Sequence, residues 1–358
     1  MSFLSLEALA KTWPDGTRAV RGVDLGIEAG QFVVLLGPSG CGKTTTLRMI
    51  AGLETPSSGR VLLAGRDVTA LPPSRRDVGF VFQFYALYPH MSVAENVEFP
   101  LVCARVPKKE RRAAVQAVAT KLGLDPLLPR RPRELSGGDQ QRVALARAMV
   151  RKPALWLFDE PLGTLDADRR GEMCEFLRAR QLEQQVTTVY VTHDQDEAMR
   201  LADRVVVMSE GLVLQVDPPQ RVYEEPATLF VARFLGSPGM NLLTGEIRRE
   251  SNALVFRAAG STAPIALGEL HASATPGPAV LGFRPESARI DAAGPLAGRV
   301  ALDAFHGSCR YVHVEGTFGR VAVRTPPGRS RGTGDSVRVA IASSAMRLFD
   351  AASGKRVA

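Results

Sequence analysis

From residue 1 to about 235, short runs of consecutive apolar residues alternate with longer amphipathic stretches, the rhythm of an α/β domain. The apolar runs predict strands over 32–36, 61–64, 78–82, 154–158, 188–192 and 204–208. The amphipathic stretches predict helices over 44–51, 108–122, 137–151, 168–185, 195–202 and 228–235. No strand is predicted between about 84 and 150, so that stretch reads as a helical subdomain inserted into the α/β domain. At Gly236-Ser-Pro-Gly239 the texture changes. Strand-like segments at 279–283, 299–304, 310–315, 320–324 and 336–340 are punctuated by Gly, Pro and Ser, which predicts a small β-barrel. The domain boundaries expected are therefore 1–235 and 236–358.

The chain has 358 residues, which suits two domains, and its 45% hydrophobic and 23% charged content is that of an ordinary folded protein. No apolar run approaches the ~20 residues that cross a bilayer. The start, Met-Ser-Phe-Leu-Ser-Leu-Glu, lacks the basic opening of a secretory signal. Cys41, Cys103, Cys174 and Cys309 are scattered without C-x-x-C spacing, which argues for a reducing compartment and against a structural metal site. Net charge is +8, with fifteen basic against nine acidic residues after 235. A basic domain of that kind either meets an anionic partner or simply carries solvated arginines.

The chemistry sits in two phosphate-handling devices. Gly37-Pro-Ser-Gly-Cys-Gly-Lys-Thr44 is a complete G-x-x-x-x-G-K-[ST] loop between a predicted strand and a predicted helix. Gly37, Gly40 and Gly42 let backbone N–H groups turn around phosphate oxygens, and the helix adds its positive end. Lys43 would reach the β- and γ-phosphates, and the Thr44 hydroxyl would take one Mg²⁺ position. Cys41 within this loop is either a small filler or a redox-sensitive thiol.

About 115 residues later, the apolar run Ala154-Leu-Trp-Leu-Phe-Asp-Glu160 ends in two carboxylates. Asp159 would hold a Mg²⁺-bound water, and Glu160 would polarise the attacking water. Gln83 and His193 each follow a predicted strand, where α/β sheets bind ligands, and would sense the γ-phosphate, Gln83 through Mg²⁺ or water. Trp13 offers a flat face either to adenine or to a half-buried core. The second device, Leu135-Ser-Gly-Gly138, opens a helix that Ser136 can cap, with Asp139 in its positive first turn. One loop already serves one nucleotide, so this second anion site is read as serving the nucleotide of another copy.

These residues, taken in order, make the chain resemble the ATP-binding subunits of ABC importers over essentially its whole length. On that resemblance the fold is a P-loop ABC cassette with an inserted helical subdomain, followed by an all-β, oligonucleotide-fold-like regulatory domain of TOBE type. The resemblance implies Glu160, His193, Gln83 and Lys43 as catalytic residues. It implies Trp13, Gly37, Pro38, Ser39, Gly40, Cys41, Gly42, Lys43, Thr44, Thr45, Ser136, Gly137, Gly138 and Asp166 as nucleotide-binding residues, and Thr44, Gln83 and Asp159 around Mg²⁺.

Tyr85-Ala-Leu-Tyr-Pro-His90, Val191-Thr-His-Asp-Gln195, Gly236-Ser-Pro-Gly-Met-Asn241 and Gly282-Phe-Arg-Pro-Glu286 resemble the carbohydrate-importer branch, close to maltose and glycerol-phosphate importer ATPases. Iron, spermidine and sulfate importer ATPases share much of this. Two departures lie at the expected dimer seam: Asp139-Gln140 in the signature, and Gly163-Thr-Leu-Asp166 in the D-loop.

The implied partners are a second ATPase subunit, identical or a sister chain, two membrane permeases, and indirectly a periplasmic or lipid-anchored solute-binding protein. The implied place is peripheral, on the cytoplasmic face of the inner membrane. The aromatic stretch 84–91 would form a groove for a permease helix, or else Ala86, Leu87 and Tyr88 are plain subdomain core. A soluble ABC ATPase of translation or repair would carry tandem cassettes or a long coiled coil, and neither pattern is present. A nucleic-acid-binding barrel would carry closely spaced aromatics, whereas Phe283, Phe305, Tyr311 and Phe318 are sparse, so no nucleic acid is expected.

Overall fold

In the computed structural model, residues 2–163, 165–250, 253–261, 263–268 and 274–357 are described. By the packing of its residues the chain divides into two compact units, Met1–Pro219 and Gln220–Ala358. The first unit runs β1 (Leu4–Thr12), β2 (Arg18–Ile27), β3 (Phe32–Leu36), α1 (Lys43–Ala51), β4 (Ser58–Leu63), β5 (Arg66–Asp67), β6 (Val78–Val81), α2 (Val93–Cys103), α3 (Lys108–Lys121), α4 (Gly137–Met149), β7 (Leu155–Asp159), α5 (Ala167–Gln184), β8 (Thr187–Thr192), α6 (Gln195–Leu201), β9 (Arg204–Ser209) and β10 (Leu212–Asp217).

Six of these strands form a sheet in the order β10-β9-β3-β8-β7-β6. All its pairs are parallel except β10 against β9. Every residue of β3, β7 and β8 is buried, which is why these strands read as unbroken apolar runs rather than as alternating ones. Parallel strands expose all their C-terminal tips on one edge, so Leu36, Asp159 and Thr192 deliver the residues that follow them to a common rim. A four-stranded antiparallel sheet, β2-β1-β4-β5, shares a core with one face of the large sheet through residues such as Leu4, Leu9, Ile27, Val33, Leu157 and Val206.

In the first unit β1, β2, β5, β10 and α2 lie outside the predicted elements. β1 loses strict alternation where its register shifts between Leu6 and Leu9 and Ala8 takes a left-handed φ of 45°, so its inward residues fall at 4, 6 and 9, and β2 loses it where the register passes from Val23 to Arg21, skipping Gly22 at φ 78°. α2 contains Pro100, which masks its helical period. Its start is nonetheless well specified: Ser92 accepts from the Glu95 N–H, and the Glu95 carboxylate accepts from the Ser92 N–H. Between residues 84 and 150 the described regular structure is helical throughout.

The second unit begins within α7 (Pro219–Glu224), at its second residue, and continues with α8 (Leu229–Phe234), β11 (Asn241–Glu250), β12 (Ala253–Ala258), β13 (Ile265–Ala266), β14 (Gly277–Phe283), β15 (Ala288–Ile290), β16 (Leu296–Phe305), β17 (Arg310–Gly316), β18 (Gly319–Thr325), β19 (Ser336–Ile341) and β20 (Arg347–Asp350). The strands lie in two five-stranded antiparallel sheets, β13-β12-β11-β14-β20 and β15-β19-β16-β17-β18, around one core that includes Leu243, Phe256, Phe283, Val312 and Val323.

Two residues from the motifs at 236–241 and 282–286 bind backbone here. The Asn241 amide donates to the Ala322 carbonyl and accepts its N–H, bridging the sheets. Arg284 is buried, and its guanidinium donates to the carbonyls of Tyr223, Ala232 and Leu235 at the ends of α7 and α8.

Candidate functional site

The loop after β3 is packed too tightly for side chains at two of its glycines. A Cβ on Gly37 would lie 2.2 Å from the Met208 carbonyl, and one on Gly42, at φ 102°, would lie 2.3 Å from the Ala19 carbonyl. The strands on either side therefore press the loop into its turn. Lys43 is buried beneath it, and its Nζ donates to the carbonyls of Gly37 and Pro38 at 2.8 and 2.9 Å. The Cys41 sulfur is 3.7 Å from the same amine and is buried. Cys41 thus fills space inside the loop.

Thr44 opens α1 and donates its hydroxyl to Asp159 Oδ1 at 2.7 Å, joining the loop to the tip of β7. Asp159 is 3% exposed. Burial raises its carboxyl above the usual range, although the Thr44 bond and the charges of Arg48 and Lys43 pull the other way. A hydroxyl and a buried carboxylate side by side form a small, oxygen-only donor set. That suits Mg²⁺, which keeps most of its waters and takes one or two protein oxygens.

Glu160 occupies the left-handed region at φ 45°, pinned by its N–H on the Val191 carbonyl at 3.0 Å. That kink turns its carboxylate toward two residues far off in the chain. Glu160 Oε2 accepts from Gln83 Nε2 at 3.3 Å and lies 3.1 Å from His193 Nδ1. Gln83, Glu160 and His193 thus converge on one oxygen. A cleft of about 710 Å³ runs from this cluster along the loop to Trp13, and Ser39, Gly40 and Thr45 line it. Trp13 is half-buried with Lys11 Nζ 4.8 Å from its ring centroid. Arg18, Arg21 and Glu210 line the same cleft and went unrecognised. They belong to no motif, and only the pairing of β2 and the approach of Gly211 to Ala19 bring them near the loop.

Behind His193, a buried polar network fixes the same rim. Glu197, 3% exposed, accepts from the hydroxyls of Tyr190 and Thr192, and burial raises its carboxyl. Arg170 pairs with Asp194, lies 3.6 Å from Glu197, and donates to the Leu165 carbonyl.

Ser136, Gly137, Gly138 and Asp166 lie elsewhere. Ser136 caps α4 by accepting from the Asp139 N–H, and Asp166 caps α5 by accepting from the Arg169 N–H. Ser136, Gly138 and Leu165 border a second cleft of about 560 Å³ that shares no lining residue with the first. Within one chain, the two anion devices are not brought together. Thr164, one of the two departures in the D-loop, lies outside the described residues.

A third, smaller cleft of about 330 Å³ is walled by Phe80, Phe82, Ala86, Tyr88 and Phe99. Arg147 holds its rim by donating to the carbonyls of Tyr85 and Ala86, and Phe84 is 81% exposed beside it. Ala86 is exposed, whereas Leu87 and Tyr88 are half-buried, so the stretch is neither wholly core nor wholly surface.

The chain matches three families: ABC transporter over residues 20–163, MalK OB fold domain over 236–288, and TOBE domain over 281–349. It is 45% identical over 365 residues to an sn-glycerol-3-phosphate import ATP-binding protein, UgpC, of Burkholderia thailandensis, covering 99% of each chain. It is 44% identical to the protein of that name in Rhizobium meliloti, covering 100% of each. Among solved structures, it resembles the dimeric post-hydrolysis state of the ATP-binding cassette MJ0796 bound to ADP and Pi, at TM-score 0.56 and 32% identity over 60% of this chain and 98% of that one. It also resembles cbiO1 from Clostridium perfringens, at TM-score 0.58 and 32% identity over 63% and 91%. Among the described residues no helix is long and apolar enough to cross a membrane.

Proposed function

The chain belongs to the ABC transporter ATP-binding family, and from that membership we propose that it is the ATP-hydrolysing subunit of an importer for glycerol phosphate or another carbohydrate or polyol. It works as a dimer docked on two membrane permeases at the cytoplasmic face, fed by a solute-binding protein. The third cleft, beside Phe84, is the surface offered to a permease helix. We keep the functional boundary at 235/236, although the compact units divide at 219/220; the start of the OB-fold match at residue 236 supports that reading.

Lys43 leaves its loop carbonyls for the β- and γ-phosphates, Gly40, Gly42 and the start of α1 supply N–H donors, and Trp13 stacks on the base. Thr44 and Asp159, with Gln83 nearby, would hold Mg²⁺, which when bound supplies charge neutralisation at the phosphate oxygens. Glu160 takes the proton of the water that attacks the γ-phosphorus, and Gln83 and His193 orient its carboxylate. Ser136, Gly137, Gly138 and Asp166 complete the site of the opposite chain.

The observation that carries this reading is the separation of the two clefts: the signature serine shares no cleft with Lys43 of its own chain. A second chain is then needed to close each site, and ATP favours the dimer only through contacts made in that state. The test is size-exclusion chromatography of Glu160→Gln with ATP and Mg²⁺. The variant should elute as a dimer with ATP and as a monomer with ADP. A profile indifferent to ATP overturns the reading.

A further inference from the structure

Asp139, the third residue of α4, folds its carboxylate back over Ser136. Asp139 Oδ2 accepts the Ser136 hydroxyl at 2.7 Å, while the Asp139 N–H donates to the same hydroxyl oxygen at 3.2 Å. Arg142 grips the other carboxylate oxygen and is itself anchored on the Leu122 carbonyl at 3.1 Å. A serine hydroxyl owns one hydrogen. Here that hydrogen points at a carboxylate of its own chain, so the serine turns only lone pairs toward the cleft. The charge also partly cancels the positive end of α4 that an incoming phosphate would use. Burial raises the Asp139 carboxyl, but the bonds from Ser136 and Arg142 outweigh it and leave the group below the usual range, so it stays ionised at neutral pH.

We propose that Asp139 is a positioning residue that restrains closure of the cross-chain site: Ser136 can donate to a γ-phosphate on the facing chain only by giving up its bond to Asp139. This rests on the reading of Ser136 as completing the opposite chain's site. Ser136 and Asp139 meet in the second cleft, and the restraint is local to it. It is reversible, since Arg142 keeps a partner for the carboxylate when the serine turns away.

The test is ATP-driven dimerisation in the Glu160→Gln background, titrated with ATP at constant Mg²⁺. Asp139→Gln should lower the ATP concentration at half-dimerisation about tenfold, the scale of one hydrogen bond to a charged group. Glutamine is itself favoured at the third helical position, so the helix start survives, and Asp139→Asn, of nearly the same shape, serves as a second variant. Ser136→Ala should raise the midpoint in both backgrounds, several-fold more when Asp139→Gln is present than when Asp139 is, because only the freed serine donates across the seam. An unchanged or raised midpoint for both Asp139 variants, or an equal loss from Ser136→Ala in both backgrounds, overturns the proposal and leaves the cross-chain reading standing. If no variant dimerises with ATP, the cross-chain reading falls and takes this proposal with it.

Discussion

The cleft beneath β3 and the cleft beside α4 handle the same chemistry with opposite degrees of preparation. In the first, Lys43 and Asp159 are buried and partnered, two glycines are locked by carbonyls about 2.3 Å from any added Cβ, and two side chains, Gln83 and His193, meet on one Glu160 oxygen. In the second, Ser136 is exposed and is occupied by its own neighbour. The first can be built by one chain because its parts are ordered by a buried sheet. The second is a surface whose geometry is finished only against another molecule.

Breaking the prepared side should have the larger effects. Glu160→Gln should slow steady-state ATP hydrolysis by at least about 100-fold, the scale of a lost transition-state interaction, with nucleotide affinity far less changed. Equal losses in rate and affinity would show that Glu160 binds rather than activates. Next comes Gly42→Ala, which forces a Cβ toward the Ala19 carbonyl at a left-handed φ and should destabilise the fold by roughly 1–3 kcal/mol. Thermal melting reads this, and an unaltered midpoint would show that β2 yields. Gly137, which has no neighbour within 4 Å of an added Cβ, should accept alanine with little change in melting, sharpening the contrast between the clefts.

The smallest effect is a pH dependence. Burial raises the Asp159 carboxyl, so the folded chain holds this proton more tightly than the unfolded chain does. Its influence on stability is therefore most favourable below the ordinary carboxylate range and is lost as pH rises through the raised value. Without nucleotide, Asp159→Asn should melt above the parent at neutral pH and converge with it in acid. A parent that melts no lower than the variant at pH 7 would show that Thr44 and the neighbouring cations fully compensate the buried charge.

Legibility followed locality. Gly37 to Thr44 form one uninterrupted turn, and Asp159 and Glu160 end one apolar run, so their place at strand tips could be read from neighbours in sequence. Gln83 and His193 were legible as residues at strand ends, but their meeting on Glu160 Oε2 depends on strand order, which no local pattern carries. Arg18 and Arg21 reached the cleft through β2, whose alternation is broken where the register skips Gly22. Asp139 was visible as a departure from the family's signature, yet its bond from Ser136, with Arg142 on its other oxygen, depends on side-chain geometry that no sequence pattern carries. In the second unit β14 and β16 to β19 were readable because Gly and Pro punctuate them, β11, β12, β13, β15 and β20 were not named, and the carbonyl-binding roles of Asn241 and Arg284 required knowing which backbone passes beside each.

The resting contacts of Lys43 bear on selectivity. Its ammonium already has two carbonyl oxygens as company, so an anion entering the loop must outbid a dipolar solvation shell that is built into the protein. A singly or doubly charged ion such as chloride or free orthophosphate brings little to that exchange, while a triphosphate spreads several charges along the same backbone donors. Discrimination against the abundant small anions of the cell thus begins with where one lysine sits before any nucleotide arrives.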